Sequence, residues 1–211
     1  MCTAAPYPMQ GGASLLSSFL VLAHHHQLFG EITMIRLTLA ASAVAILSAC
    51  ASSPQMTAFS QASLPDAVKV PQGHKVALET VGAGQITYEC RAKKDAAGFE
   101  WVFVGPDAKL MARDGKQVGK YFGPPATWES ADGSKITGTQ VAVAPAAAGN
   151  IPLQLVKANP AMGSGAMTGV SYIQRVDTRG GVAPAKACDA GMVSAKEIVK
   201  YQADYIFWKA A

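Results

Sequence analysis

Histidine and charge are both scarce in this chain. Of four histidines, three stand together at His24, His25 and His26, and beyond Cys50 only His74 remains. A zinc centre of three histidines, or one on His-Glu-x-x-His, has no residues to draw on there. A Ser-His-Asp triad would need His74 as its base, and no Gly-x-Ser-x-Gly turn accompanies it. Gly163-Ser164-Gly165 lacks that spacing and reads as a glycine-rich loop, and His74, after Pro71-Gln72-Gly73, reads as an exposed histidine at a strand end. No Gly-x-Gly-x-x-Gly or phosphate-binding loop opens a helix, so no nucleotide cofactor is expected, and no metal. Charged residues make up 15% of the chain and the net charge is +4. The basic residues are scattered from Lys69 to Lys209, with Lys93-Lys94 the one adjacent pair among them, whereas a nucleic-acid binder gathers positive charge on one face. No nucleic-acid partner is expected.

Long apolar runs are also lacking. The longest candidate, Leu37 to Leu47, is well short of the ~20 residues a membrane-crossing helix needs. It follows Met34-Ile35-Arg36 and ends Leu47-Ser48-Ala49-Cys50, the order of charged, apolar and small-residue regions in a secretory signal. The ending resembles the lipobox of bacterial lipoproteins. That resemblance implies cleavage before Cys50 and a diacylglyceryl thioether on its sulfur. More than one acyl chain makes such an anchor durable. Ala51, rather than Asp, follows the cysteine, which by the lipoprotein sorting pattern implies the outer membrane of a diderm host, facing the periplasm or the cell surface.

Residues 1–33 have a second short apolar run, Ser14 to Ala23, but no Lys or Arg. A signal starting at Met1 would lack its positive region, so Met34 is the expected start and 1–33 a non-native extension. The expected organisation is therefore a signal peptide at 34–49, a flexible tether rich in Ser, Ala and Gln at 50–64, and one domain at 65–211.

Half of the sequence is hydrophobic, with 20 glycines and 12 prolines, which suits a buried core and many tight turns. Short segments of period two recur: His74–Thr80, Gln85–Arg91, Phe99–Val104, Lys109–Arg113, Gln117–Phe122, Lys135–Ala144, Ile151–Ala158, Met167–Val176 and Val199–Lys209. In the last, Tyr201, Ala203, Tyr205 and Phe207 alternate with Gln202, Asp204, Ile206 and Trp208. Gly82-Ala83-Gly84 reads as a break and Gly105-Pro106-Asp107 as a strand end. Asp114-Gly115 and Asp132-Gly133 read as type I′ hairpin turns. No segment keeps a helical period for long, and Ser194–Lys200 is the one short helix candidate. The fold expected is all-β, a single-domain β-sandwich or barrel-like fold.

With Cys50 lipidated, Cys90 and Cys188 remain for the exported domain, and the compartment argues for a disulfide. Its long loop would contribute up to ~4–5 kcal/mol in the chain-entropy model. Two free buried thiols are the alternative. A redox pair is disfavoured because the active motif keeps Cys-x-x-Cys spacing.

The densest polar-aromatic stretch runs from Tyr121 to Ser134. Glu129 and Asp132 beside Trp128 are the parts that a glycosidase or a sugar-binding face would use. The plainer reading has Asp132-Gly133 as a turn, Trp128 in the core and Glu129 on a solvated strand face. Arg175, Asp177, Thr178 and Arg179, before Gly180-Gly181, read as a second polar loop that would complete a binding surface with Tyr121, Trp128, Glu129 and Asp132 if the two met.

An ordered set of motifs runs through the domain. It comprises Val70-Pro71-Gln72-Gly73, Tyr88-Glu89-Cys90, Gly105-Pro106-Asp107-Ala108-Lys109-Leu110, Gly123-Pro124-Pro125-Ala126-Thr127-Trp128-Glu129 with Asp132-Gly133-Ser134, Ile173-Gln174-Arg175 with Thr178-Arg179-Gly180-Gly181, and Ala203-Asp204-Tyr205-Ile206-Phe207. The set resembles the family catalogued as domain of unknown function 3455, over about Pro65 to Trp208. Family members look like Gly-Pro-Thr-Trp where this chain has Pro125-Ala126 ahead of Thr127. The resemblance implies a bacterial or fungal protein, in many cases exported, and brings no catalytic residue. Two functions follow as expectations: a non-enzymatic envelope module that binds a glycan, peptide or envelope protein, or a glycan or ester hydrolase using Glu129 and Asp132.

Overall fold

Alternation of apolar and polar residues every second position makes a strand with one wet and one dry face, and eight such strands account for most of the domain. The structure is a computed structural model that describes residues 58–211. Cys50, the signal segment, residues 1–33 and the start of the tether lie outside the described residues. The strands are β1 His74–Ala92, β2 Phe99–Met111, β3 Gln117–Phe122, β4 Thr127–Ser130, β5 Lys135–Ala144, β6 Leu153–Ala158, β7 Val170–Gly180 and β8 Lys196–Ala210. Each pairs antiparallel with the next, and β8 returns to pair with β1 from His74 to Glu89, so the sheet closes into a barrel in simple up-and-down order. Closure removes the exposed strand edges that invite aggregation. The all-β expectation holds, in its barrel form.

Two glycine readings are corrected. β1 runs unbroken through Gly82-Ala83-Gly84. These glycines serve close approach: a Cβ on Gly82 would lie 2.5 Å from the Tyr205 ring, and one on Gly84 2.2 Å from the Asp107 carbonyl oxygen. β2 likewise continues through Gly105-Pro106-Asp107. A bulge opposite Thr87 and Tyr88 absorbs the irregularity, and Pro106 sits beside it, before the β3 ladder begins at Asp107.

Both Asp-Gly turns join hairpins, but not as type I′. Gly115 and Gly133 have positive φ (84° and 85°) while their aspartates do not. In each, the glycine N–H reaches back three residues, to Ala112 O and Ser130 O, the pattern of a turn closed by a left-handed glycine. The expected helix at Ser194–Lys200 is absent. Lys196 onward is already β8, and the only helical turns among the described residues are 3-10 turns at Asp66–Val68 and Ala190–Met192. Pairing with β1 supplies those residues with ladder partners, which a lone helical turn could not match.

The core lies in two layers. Inside the barrel, Tyr201, Ala203, Tyr205 and Phe207 of β8 pack with Ile86, Leu110, Tyr121, Trp128, Ile136 and Ile173. Outside, Ile206 and Trp208 of the same strand are buried with Leu155 and Val176 beneath Val68 and Val70, with Phe59 and Leu64 against them. The segment ahead of β1 is thus a strap across the outer face. The Gln61 side chain clasps Val70 through both its N–H and its C=O (2.8 and 2.9 Å). Gln174, fully buried, donates to Val68 O (2.7 Å) and accepts from Trp208 Nε1 (2.8 Å). Phe59, Gln61 and Leu64, the end of the segment read as a tether, therefore lie against the barrel.

Cys90 and Cys188 form the expected disulfide, with Cα atoms 5.6 Å apart. It fastens the long β7–β8 connection to β1. Trp101 Nε1 donates to Lys186 O (2.9 Å) and Tyr88 Oη to Gly181 O (2.8 Å), so this connection covers the β1–β2 side of one barrel mouth. At the opposite end Met167 drops into the inner cluster.

Candidate functional site

The alternation that builds the barrel also decides which candidate residues can meet. Trp128 and Glu129 are neighbours on β4, so one faces in and the other out. Trp128 is 1% exposed and stacks on Tyr121, ring centroids 4.7 Å apart, while Tyr205 meets both rings at 5.0 and 5.9 Å. Glu129 lies outside between Lys120 (3.4 Å) and Lys135 (3.9 Å). Asp132 belongs to the β4–β5 turn, where its carboxylate accepts from Ser134 N, Ser134 Oγ and Ala166 N (2.9, 2.6 and 2.7 Å). Those bonds, led by the Ser134 hydroxyl, hold its pKa down at about 2. It fixes the turn against the β6–β7 connection.

Arg175 and Arg179 stand in β7, not in a loop; a bulge between Val176 and Arg179, with Asp177 at φ 45°, gives the strand its irregular look. Arg179 is exposed and pairs with Asp177 (3.3 Å). Arg175 faces the other way. It is in phase with Ile173 of the inner core and out of phase with Gln174 and Val176 of the outer one. Its Nε and Nη2 donate to Pro152 O (3.2 and 2.9 Å), and it has no carboxylate partner among the described residues.

Three of the six sequence candidates, Tyr121, Trp128 and Arg175, therefore line one space: a cavity of about 200 Å³ in the barrel mouth that the β7–β8 connection leaves open. Phe103, Gln140 and Gln154 complete its polar and aromatic lining. Phe103, half exposed, stands at its rim. Gln154 Nε2 donates to Gln140 Oε1 (2.6 Å) across β5 and β6. Sequence reasoning missed these three. The available signal was phase, since Gln140 continues the inward series Ile136–Gly138 and Gln154 is in phase with inward Val156.

Arg175 is the charge that recurs in the electrostatics of this lumen, with Asp107 opposing it at Tyr201. Burial raises the pKa of Tyr88, Tyr121, Tyr201 and Tyr205, and the Arg175 charge pulls against that shift in all four. These phenols stay protonated, so the Arg175 cation is not neutralised from within. Two buried side-chain polar atoms lack any hydrogen-bond partner among the described residues, Trp128 Nε1 and Thr178 Oγ1. Trp128 lines the cavity; Thr178 lies in an outer groove whose charges, Asp177 and Arg179, pair with each other. A larger groove of about 520 Å³ runs outside between Ala58, β1 and the β2–β3 turn. Its Arg113 is already held by Glu79 (3.1 Å) and Asp204 (2.9 Å). In the lumen, by contrast, Arg175 keeps donors free beside a cavity.

No group of three or more His, Cys, Asp or Glu is placed to hold a metal among the described residues. His74 sits at the start of β1, its ring edge-on to Tyr172 at 5.0 Å and its Nδ1 3.0 Å from Pro71 O. No helix of the described residues is long and apolar enough to cross a membrane.

The sequence pattern of a family described as protein of unknown function (DUF3455) matches residues 71–209. No curated protein and no solved structure matches the chain.

Proposed function

The chain belongs to the DUF3455 family of proteins of unknown function, and on that premise we propose that it is a non-enzymatic, lipid-anchored binding module of the cell envelope. The barrel mouth is its binding site, for a small ligand or for the end of a glycan or peptide. The observation that carries this reading is the lumen cavity, with a guanidinium that has no acid partner and a buried indole N–H that has no acceptor. A guanidinium with free donors beside a cavity marks a place for a ligand atom or water, and the unsatisfied indole N–H, an exception among buried polar groups, belongs to a residue that lines the same cavity. Eight-stranded up-and-down barrels are wide enough to hold one small ligand. A thioether-linked lipid on Cys50 would hold this barrel at the outer membrane.

The hydrolase alternative gains nothing from the geometry. Glu129 stands between two lysines on the outer face, and Asp132 spends its oxygens on a turn. Neither lines the lumen cavity.

Two measurements test the proposal. Feeding cells an alkyne fatty acid should label the protein in a Cys50-dependent manner, and labelling retained by Cys50→Ser would remove the anchor. In the purified barrel, the Trp128 Nε1–H resonance should shift when a fragment library of sugars, short peptides and small carboxylates is titrated in. A resonance unmoved by every fragment would remove the binding site.

A further inference from the structure

We infer that the lumen site takes a small planar organic anion, a monocyclic aromatic carboxylate or a ligand end of that chemistry. The inference rests on the proposed binding role of the same cavity and adds the class of ligand. Size comes first. About 200 Å³ is below the ~300–1,000 Å³ usual for drug-sized ligands. It exceeds the ~150 Å³ of a cavity that accepts benzene. One ring with a short polar substituent fits; a disaccharide does not.

The walls set the shape. Tyr121 and Trp128, stacked on each other (18° between planes), and Phe103 at the rim bring aromatic rings to one side of the lining. A flat ring buries the most area against flat walls, whereas a pyranose ring is puckered and ringed by hydroxyls that need partners. The opposite side carries Arg175 with Gln140 and Gln154.

Charge sets the remaining choice. Arg175 spends Nε and Nη2 on one carbonyl, Pro152 O, and keeps its other N–H donors free. With no carboxylate beside it and four protonated phenols around the lumen, it offers a positive field to whatever enters. A guanidinium matches a carboxylate in a planar, forked arrangement, and the charge-assisted bond is about twice as strong as a neutral one. The Trp128 indole, on the lining, has a buried N–H without an acceptor and brings no acceptor of its own. Arg175 thus brings free donors and a positive charge with no acceptor of its own, as an anionic ligand requires.

The test uses benzoate and its neutral isostere benzamide, titrated into the disulfide-intact protein while the Trp128 Nε1–H resonance and the heat of binding are followed. Benzoate is expected to bind saturably and at least about tenfold more tightly than benzamide. Arg175→Met should abolish that preference, and Arg175→Lys should restore part of it by keeping the charge without the fork. Because Arg175→Met also removes a contact to Pro152, each variant is compared by unfolding midpoint, and the benzoate-to-benzamide ratio in a folded variant is the deciding quantity. Equal affinity for the two probes, or a preference that survives Arg175→Met, overturns the inference and leaves the cavity as a binding site for neutral rings. If neither probe shifts the resonance while another fragment does, the ligand class falls and the binding role stands. If nothing shifts it, both fall.

Discussion

Gln174 and Arg175 are consecutive residues of β7 that face opposite sides of the same sheet, and they are treated in opposite ways. Gln174 is fully buried under the strap, and its amide reaches Val68 O, Gln61 Oε1 and Trp208 Nε1. Arg175, facing the lumen, has only the Pro152 carbonyl. The two tryptophans nearest them follow suit: the Trp208 N–H has an acceptor and the Trp128 N–H has none. A polar group buried to hold structure together is satisfied within the chain, because leaving it unpaired costs about 1–3 kcal/mol. Gln174 and Trp208 under the strap are finished in this sense, whereas in the lumen Arg175 keeps donors free and Trp128 Nε1 has no acceptor; Thr178 Oγ1 is the exception on the outer face. The difference separates the part of the barrel that maintains the fold from the part available to something else.

The most forceful way to test that division is to cut the covalent element of the maintaining part. The double variant Cys90→Ala, Cys188→Ala should lose about 4 kcal/mol of unfolding free energy in urea, since the bridge closes a loop of 98 residues. A loss well under about 1 kcal/mol would show that noncovalent contacts suffice to hold the β7–β8 connection, those of Trp101 and Tyr88 and the backbone bonds of Cys90 to Ser194 and Ala195 among them.

A smaller and sharper comparison uses the two tryptophans. Trp208→Phe and Trp128→Phe delete the same N–H-bearing ring. The first leaves the buried Gln174 oxygen without its Trp208 donor, and the second strands nothing. Trp208→Phe should therefore be the more destabilising by about 1–2 kcal/mol. Equal losses in equilibrium unfolding would erase the contrast between the two faces.

How much of this could be read along the chain depended on whether the cause was local. Asp114-Gly115 and Asp132-Gly133 act within four residues, and their hairpins were legible, although the turn type was not. The Cys90–Cys188 bridge was legible from compartment and count alone. Gly82 and Gly84 were misread because a glycine needed for close approach looks the same in sequence as one needed for a turn. What distinguishes them is Tyr205 and Asp107, far along the chain. The strap stayed hidden because Phe59 and Leu64 sit among Ser, Ala and Gln, and its hold on the barrel depends on Gln61 and Gln174 meeting. One hint was present: β8 is apolar on both faces at Ile206, Phe207 and Trp208, and a strand dry on both sides must be covered twice. For the site, Arg175 was named, but its direction depends on the register and on the bulges of β7, which no local pattern reveals.

The smallest effect concerns Asp132, a polar group satisfied at the surface instead of under cover. Its folded pKa is about 2 against an ordinary 3.8, lowered first by the Ser134 hydroxyl and then by the N–H groups of Ala166 and Ser134. A depressed carboxyl stabilises the fold above its unfolded value and ceases to as pH falls through its folded value. The contribution is thus complete above about pH 4 and lost on the way to pH 2. Asp204 has the opposite sign. Burial raises its pKa against the pull of Arg113, so protonating it favours the folded state. Asp132→Asn keeps an oxygen at the turn and removes the titration. Relative to this variant, the parent should lose its advantage between pH 4 and pH 2, while Asp204→Asn should shift the acid profile in the other direction. Parallel profiles for parent and Asp132→Asn, followed by thermal unfolding across that window, would mean that the carboxylate's bonds to Ser134 and Ala166 do not hold in solution. The division between satisfied and unspent polar groups would then end at the buried ones.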